Sequence, residues 1–208
     1  MKDSQGTSAE GRTNWRRFGL VMVAPTVVAV GLVAGVASGA VAASFSISGT
    51  TFKLSADRLE GDGFTQYSSG LQTGSGATVP AAMSGIASAD IYNLCQTVKV
   101  GPIILRIEAG KDPNKPVHGD NLLIGMSELS GDATFTNINI GQDASKLDAD
   151  NFSSHGAAGG FGQQASHVTI TGLQQVAYST TASTFKLTGM SLKLYVGNGT
   201  ECFATPAS

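Results

Sequence analysis

Three kinds of side chain in this sequence could carry chemistry, and their spacing narrows what that chemistry is. Cys95 and Cys202 are the only two cysteines in 208 residues. An even pair in an oxidising compartment most simply forms one disulfide, and closing so long a loop restricts the unfolded chain by about 4.7 kcal/mol on the entropic account. The competing reading is two free thiols, one of them nucleophilic, although no histidine lies beside either cysteine in sequence. His118 sits in a Pro-rich turn, His155 beside a Gly-rich loop and His167 at a strand start, and each reads as a surface or strand-edge residue. A serine hydrolase of the elbow type needs Gly-x-Ser-x-Gly on a strand-to-helix turn, and that pentapeptide does not occur.

Metal sites need clustered histidine, cysteine or carboxylate ligands. Asp143, Asp148 and Asp150 are the densest acidic group and, with Asn151, could hold calcium, but they lack the Asp-x-Asp-x-Asp-Gly loop order. Gly156–Gly162 has no Lys-Ser/Thr ending and so does not read as a phosphate cradle. Paired carboxylates for glycoside cleavage depend on spatial separation, but the sole tryptophan, Trp15, lies in the leader, so the aromatic platform usual for sugars is thin. Asn151-Phe152-Ser153 and Asn198-Gly199-Thr200 match the glycosylation acceptor pattern, which matters only in a eukaryotic secretory route. The site residues expected are therefore the disulfide pair alone, with no catalytic residue, cofactor or bound metal. What remains is apolar strand surface, which either fills a core or lines a groove for a lipid ligand.

The elements that must position these residues show a period of two. Phe52 and Leu54 flank Lys53, Ile103, Leu105 and Ile107 alternate with Ile104, Arg106 and Glu108, and Val168 and Ile170 alternate with His167, Thr169 and Thr171. Leu192, Leu194 and Val196 alternate with Lys193 and Tyr195. That is the pattern of strands with one buried face. Turn signals recur at Ser48-Gly49, Gly61-Asp62-Gly63, Gly74-Ser75-Gly76, Lys111–Asn114, Ser130-Gly131-Asp132 and Gly197-Asn198-Gly199, so short strands are expected. Ala81–Leu94 is the best helix candidate, weakened by Gly85, and Gly141–Phe152 accommodates one helical turn. Gly156–Gly162 reads as a flexible loop. Two weak repeats stand out: Thr51–Ser55 matches Thr184–Thr188, and Leu59–Phe64 resembles Leu129–Phe135, as recurring hairpins would. The expected class is all-β, a mainly antiparallel sandwich, barrel or roll, behind an N-terminal apolar signal or anchor helix.

Residues 1–17 form a polar leader ending in Arg12, Arg16 and Arg17, and residues 18–43 carry no charge over 26 positions. As a helix that run spans about 39 Å, more than a hydrocarbon core requires. Its length suits a retained anchor, and Gly31, Gly35 and Gly39 offer close helix approach, whereas Ala40–Ala43 offers signal cleavage; both readings remain open. Either way residues 44–208 are expected as an extracytoplasmic β-rich domain, anchored in the membrane or secreted. That part holds nine Lys and Arg against thirteen Asp and Glu, a balance of −4, which speaks against a nucleic-acid partner.

Several strings together carry a resemblance: Trp15–Phe18, Phe52–Gly61, Tyr92–Gln96, Ile140–Ser145 and Gly159–Ala165. Over nearly its whole length the chain resembles an actinobacterial family of exported or membrane-anchored proteins of unknown function, whose members are sometimes labelled cholesterol esterase. The resemblance implies a small multi-span membrane protein as partner and supplies no catalytic residues. The function expected is non-enzymatic, a cell-envelope protein that is structural or binds an apolar ligand. The alternative is a lipid-ester hydrolase with an unrecognised active site.

Overall fold

The structure is a computed structural model that describes residues 47–150, 155–197 and 201–204. The leader at 1–17, the apolar run at 18–43, Asn151 and both glycosylation patterns lie at least partly outside the described residues. Among the described residues there is no α-helix, and no helix is long and apolar enough to cross a membrane. The described residues form nine strands in one antiparallel sheet. They are β1 (Phe52–Gln72), β2 (Thr78–Tyr92), β3 (Leu94–Val100), β4 (Ile103–Ala109), β5 (Val117–Thr136), β6 (Asn139–Asp143), β7 (Phe161–Thr181), β8 (Thr184–Lys186) and β9 (Ser191–Val196).

Four long strands close on themselves, because β1 pairs with both β2 and β7 while β5 joins β2 to β7. Stepping across the ladder from Phe52 through Ala177, Met126 and Ala82 returns to β1 at Ser68, a stagger of 68 − 52 = 16 residues. So large a stagger requires steeply wound strands, which is why three of the four run to 20 or 21 residues. The interior is filled: Leu59, Phe64, Ile86, Leu122, Val168 and Leu173 are all at most 3% exposed. Phe64 and Phe135 meet at a ring-centroid distance of 5.3 Å. A smaller cluster of Tyr67, Ala81, Met83, Ala144 and Leu147 lies beside this core. From the start of β1 a three-stranded wing, β3–β4–β9, leaves the ring through the pairing of Phe52–Ser55 with Cys95–Val98.

Several expectations are corrected. Ala81–Leu94 is not helical; most of it is β2. Met83, Ser84, Gly85 and Ile86 are buried in succession, so both strand faces are covered there and the two-residue alternation is lost from the sequence. Gly61–Gly63 and Ser130–Asp132 are not turns but lie inside β1 and β5. Gly63 adopts φ +67 and the β5–β7 register shifts between Ser130 and Asp132, so these glycines bend strands instead of ending them. The Leu59–Phe64 and Leu129–Phe135 strings are thus mid-strand segments, not hairpins. Leu192, Leu194 and Val196 line an exposed face, and in β4 the buried residues are Ile104, from the other face, and Ala109 at the strand end. The turns at Gly74–Gly76 and Lys111–Asn114 are present, and Ala144–Lys146 forms the one helical turn, a 3-10 turn.

Candidate functional site

The disulfide forms between Cys95 and Cys202, with a Cα separation of 5.8 Å across 107 residues of sequence. It straps the segment at 201–203 onto the wing. The Cys202 amide donates to Thr97 Oγ1 at 3.3 Å, and Lys53 Nζ reaches Glu201 Oε2 at 3.0 Å and the Phe203 carbonyl at 3.1 Å. Beside the bridge, Glu108 accepts from Lys111 and Arg106, and these bonds hold its carboxyl below the usual range.

Sheet register positions two histidines against carboxylates. Asp90 lies opposite His118, and His118 Nδ1 meets Asp90 Oδ1 at 2.8 Å while Nε2 meets Asp120 Oδ1 at 3.3 Å. The Asp90 hydrogen bond raises the His118 pKa, because it stabilises the imidazolium. With acid on both sides, His118 has no hydroxyl to activate. Asp62 lies opposite His167 and meets Nδ1 at 2.7 Å, and Thr169 Oγ1 lies 3.3 Å from Nε2. That Thr–His–Asp relay has the order of a hydrolytic triad, yet it sits on an exposed strand face with Glu60 directly opposite Thr169. A carboxylate there opposes the negative charge that an acyl-transfer intermediate would develop. His155 is exposed at the start of the Gly-rich loop.

The three aspartates go separate ways. Asp143 caps the 3-10 turn, accepting from the Ser145 amide at 2.9 Å and from the Gly159 amide at 3.0 Å, and these backbone bonds lower its pKa. Asp148 pairs with Gln164 Nε2 at 3.0 Å. Asp150 is fully buried and accepts from Thr65 Oγ1 at 2.9 Å. Among the described residues no group of three or more His, Cys, Asp or Glu is placed to hold a metal ion. Gly85 explains how a carboxylate fits inside the barrel wall: a Cβ there would collide with Asp150 Oδ2 and lie 2.6 Å from Thr65 Oγ1.

The Gly156–Gly162 loop is small for close approach. A Cβ on Gly156 would lie 2.5 Å from the Ala144 Cβ and 3.0 Å from Tyr67 Cδ2, and one on Gly162 would lie 3.0 Å from Leu147 Cδ1. Its amides at Gly156 and Gly159 are spent on the Ala144 carbonyl and Asp143. Laid flat on the 3-10 turn, the loop delivers Phe161 to a groove of about 540 Å³. Tyr67, Phe161 and Tyr178 supply its aromatic lining, Pro80, Ala81, Ala82 and Met126 its aliphatic lining, and Gln66, Ser68, Ser69 and Ser127 its polar groups. None of these is charged. Sequence reasoning picked out none of these residues as a site, although an aromatic directly after a run of small residues was a readable signal.

Fold and site together define a disulfide-strapped antiparallel barrel with an uncharged groove in its wall. The chain belongs to a family of unknown function (DUF6230), which matches residues 48–203. No curated protein and no solved structure matches it.

Proposed function

We propose that this is a non-enzymatic, extracytoplasmic cell-envelope protein that binds an apolar ligand in the groove beside Tyr67, Phe161 and Tyr178. Residues 18–43 tether it to the membrane or export it, and a multi-span membrane protein is its partner. The observation that carries the reading is the groove itself: it lies outside a core that is already filled, and its size falls in the usual range for small-molecule sites, about 300–1,000 Å³. The uncharged run behind Arg16 and Arg17 supports the compartment, and the disulfide suits an oxidising one. Full-length protein purified from expressing cells should carry stoichiometric lipid, detected by mass spectrometry of an organic extract. Lipid-free protein that also takes up none from vesicles sinks the reading.

A second reading, lipid-ester hydrolysis, draws on the Thr169–His167–Asp62 relay. It is favoured if acyl esters are turned over and Thr169→Ala or His167→Ala ends that turnover while the fold is retained.

A further inference from the structure

We infer that the groove selects an uncharged amphiphile, a long-chain molecule ending in a hydroxyl, and rejects tails that end in a carboxylate or a quaternary ammonium. This rests on the apolar-ligand reading above and adds the class of head group. The first argument is charge. An ionised head of either sign would find no counter-ion in a lining with no charged side chain, whereas a hydroxyl needs none.

The second argument is the inventory of polar groups. Gln66 is engaged at both ends of its amide, its oxygen accepting from Gln163 Nε2 at 2.6 Å and its Nε2 donating to Ser84 Oγ at 3.1 Å. Ser127 Oγ donates to the Val176 carbonyl at 3.3 Å. Among the described residues, the hydroxyls of Ser68, Ser69 and Tyr178 are left without a hydrogen-bond partner. Each can donate and accept, so together they match a ligand group that also does both, a hydroxyl. Ser68 and Ser69 are exposed at the rim and Tyr178 is half-buried, so the polar head faces the rim and the tail lies along Tyr67, Met126 and Phe161.

The test uses the full chain in phospholipid nanodiscs and three photoreactive dodecyl probes that differ only at the head: the alcohol, the carboxylate and the trimethylammonium. Peptides carrying Tyr67, Met126, Phe161 or Tyr178 should be labelled by the alcohol about tenfold more than by either ion, a preference of about 1.4 kcal/mol. Phe161→Ala, which trims a ring that is 59% exposed and so leaves folding intact, should lower the alcohol labelling at the other three positions. Ser68→Lys places a cation at the rim and should invert the preference in favour of the carboxylate. Equal labelling of the groove by all three probes overturns the head-group class and leaves the groove reading standing, as does a Ser68→Lys protein with an unchanged preference. Absence of groove labelling by any probe overturns both.

Discussion

In the barrel, Val168 and Ile170 of β7 alternate with polar neighbours and are 0% and 5% exposed. In the wing, Leu192, Leu194 and Val196 of β9 alternate in the same way and are 53%, 66% and 81% exposed. The strands are alike; the difference is closure. Around the ring every inward side chain meets others from facing strands, and each large one buried there contributes about 1.5–3 kcal/mol. Toward β9 the wing has no facing layer over its aliphatic side, although Leu94 and Ala109 at its other end join the core, so its outer part is ordered by ladder hydrogen bonds, by Ile104 and Thr97 buried on the opposite face, and by the disulfide strap. One part of the molecule is held by packing and the other by tethering.

That contrast can be broken by substitution. The largest effect is expected from Cys202→Ser, which frees the strap and should cost about 4–5 kcal/mol in urea unfolding measured without reductant. Wild-type stability in that variant would mean that the wing holds itself. Intact protein should likewise show no free thiol by mass analysis after alkylation. Phe64→Ala, which empties the ring core, should cost about 3–5 kcal/mol by the same measurement.

Gly85→Ala comes next, at about 1–3 kcal/mol, because the new methyl strikes the Thr65–Asp150 pair. The cost should shrink in an Asp150→Ala background, and an undiminished cost there would place the clash elsewhere. His118 sharpens the comparison through pH. Its folded pKa is raised, so the stability it adds is fully present below its unfolded value and is lost as pH rises through the folded one. The side chain is 40% exposed, so solvent screening holds the effect below about 1 kcal/mol. Unfolding midpoints should fall slightly from pH 6 to pH 9 in wild type and stay level in His118→Asn. The smallest effect belongs to Leu194→Ala on the open wing, within about 0.5 kcal/mol. A cost near that of Phe64→Ala would show that the aliphatic face is covered in solution.

Much of the fold was legible because period-two alternation is a local property: β7, β4 and β9 appear where the apolar residues alternate. β2 was not, since burial on both faces leaves a run of Ala, Met, Gly and Ile that carries no strand signature. Gly63 and Gly131 read as turns because a positive φ suits a turn and a strand bulge equally. Of the site, the disulfide was readable from a count of two cysteines. The groove was not, because its lining is drawn from β1, β2, β5 and β7, far apart in sequence.

From the sequence alone follow the all-β class, the Cys95–Cys202 pairing and one helical turn within Gly141–Phe152. Each depends on neighbours within a few residues or on having only one possible partner. Tertiary structure decided which apolar faces are covered, how Gly85 makes room for the Asp150 carboxylate, and that the small loop before Phe161 packs tightly. Those outcomes depend on the 16-residue stagger of a closed ring, and closure is set by pairings between distant strands that no local pattern encodes.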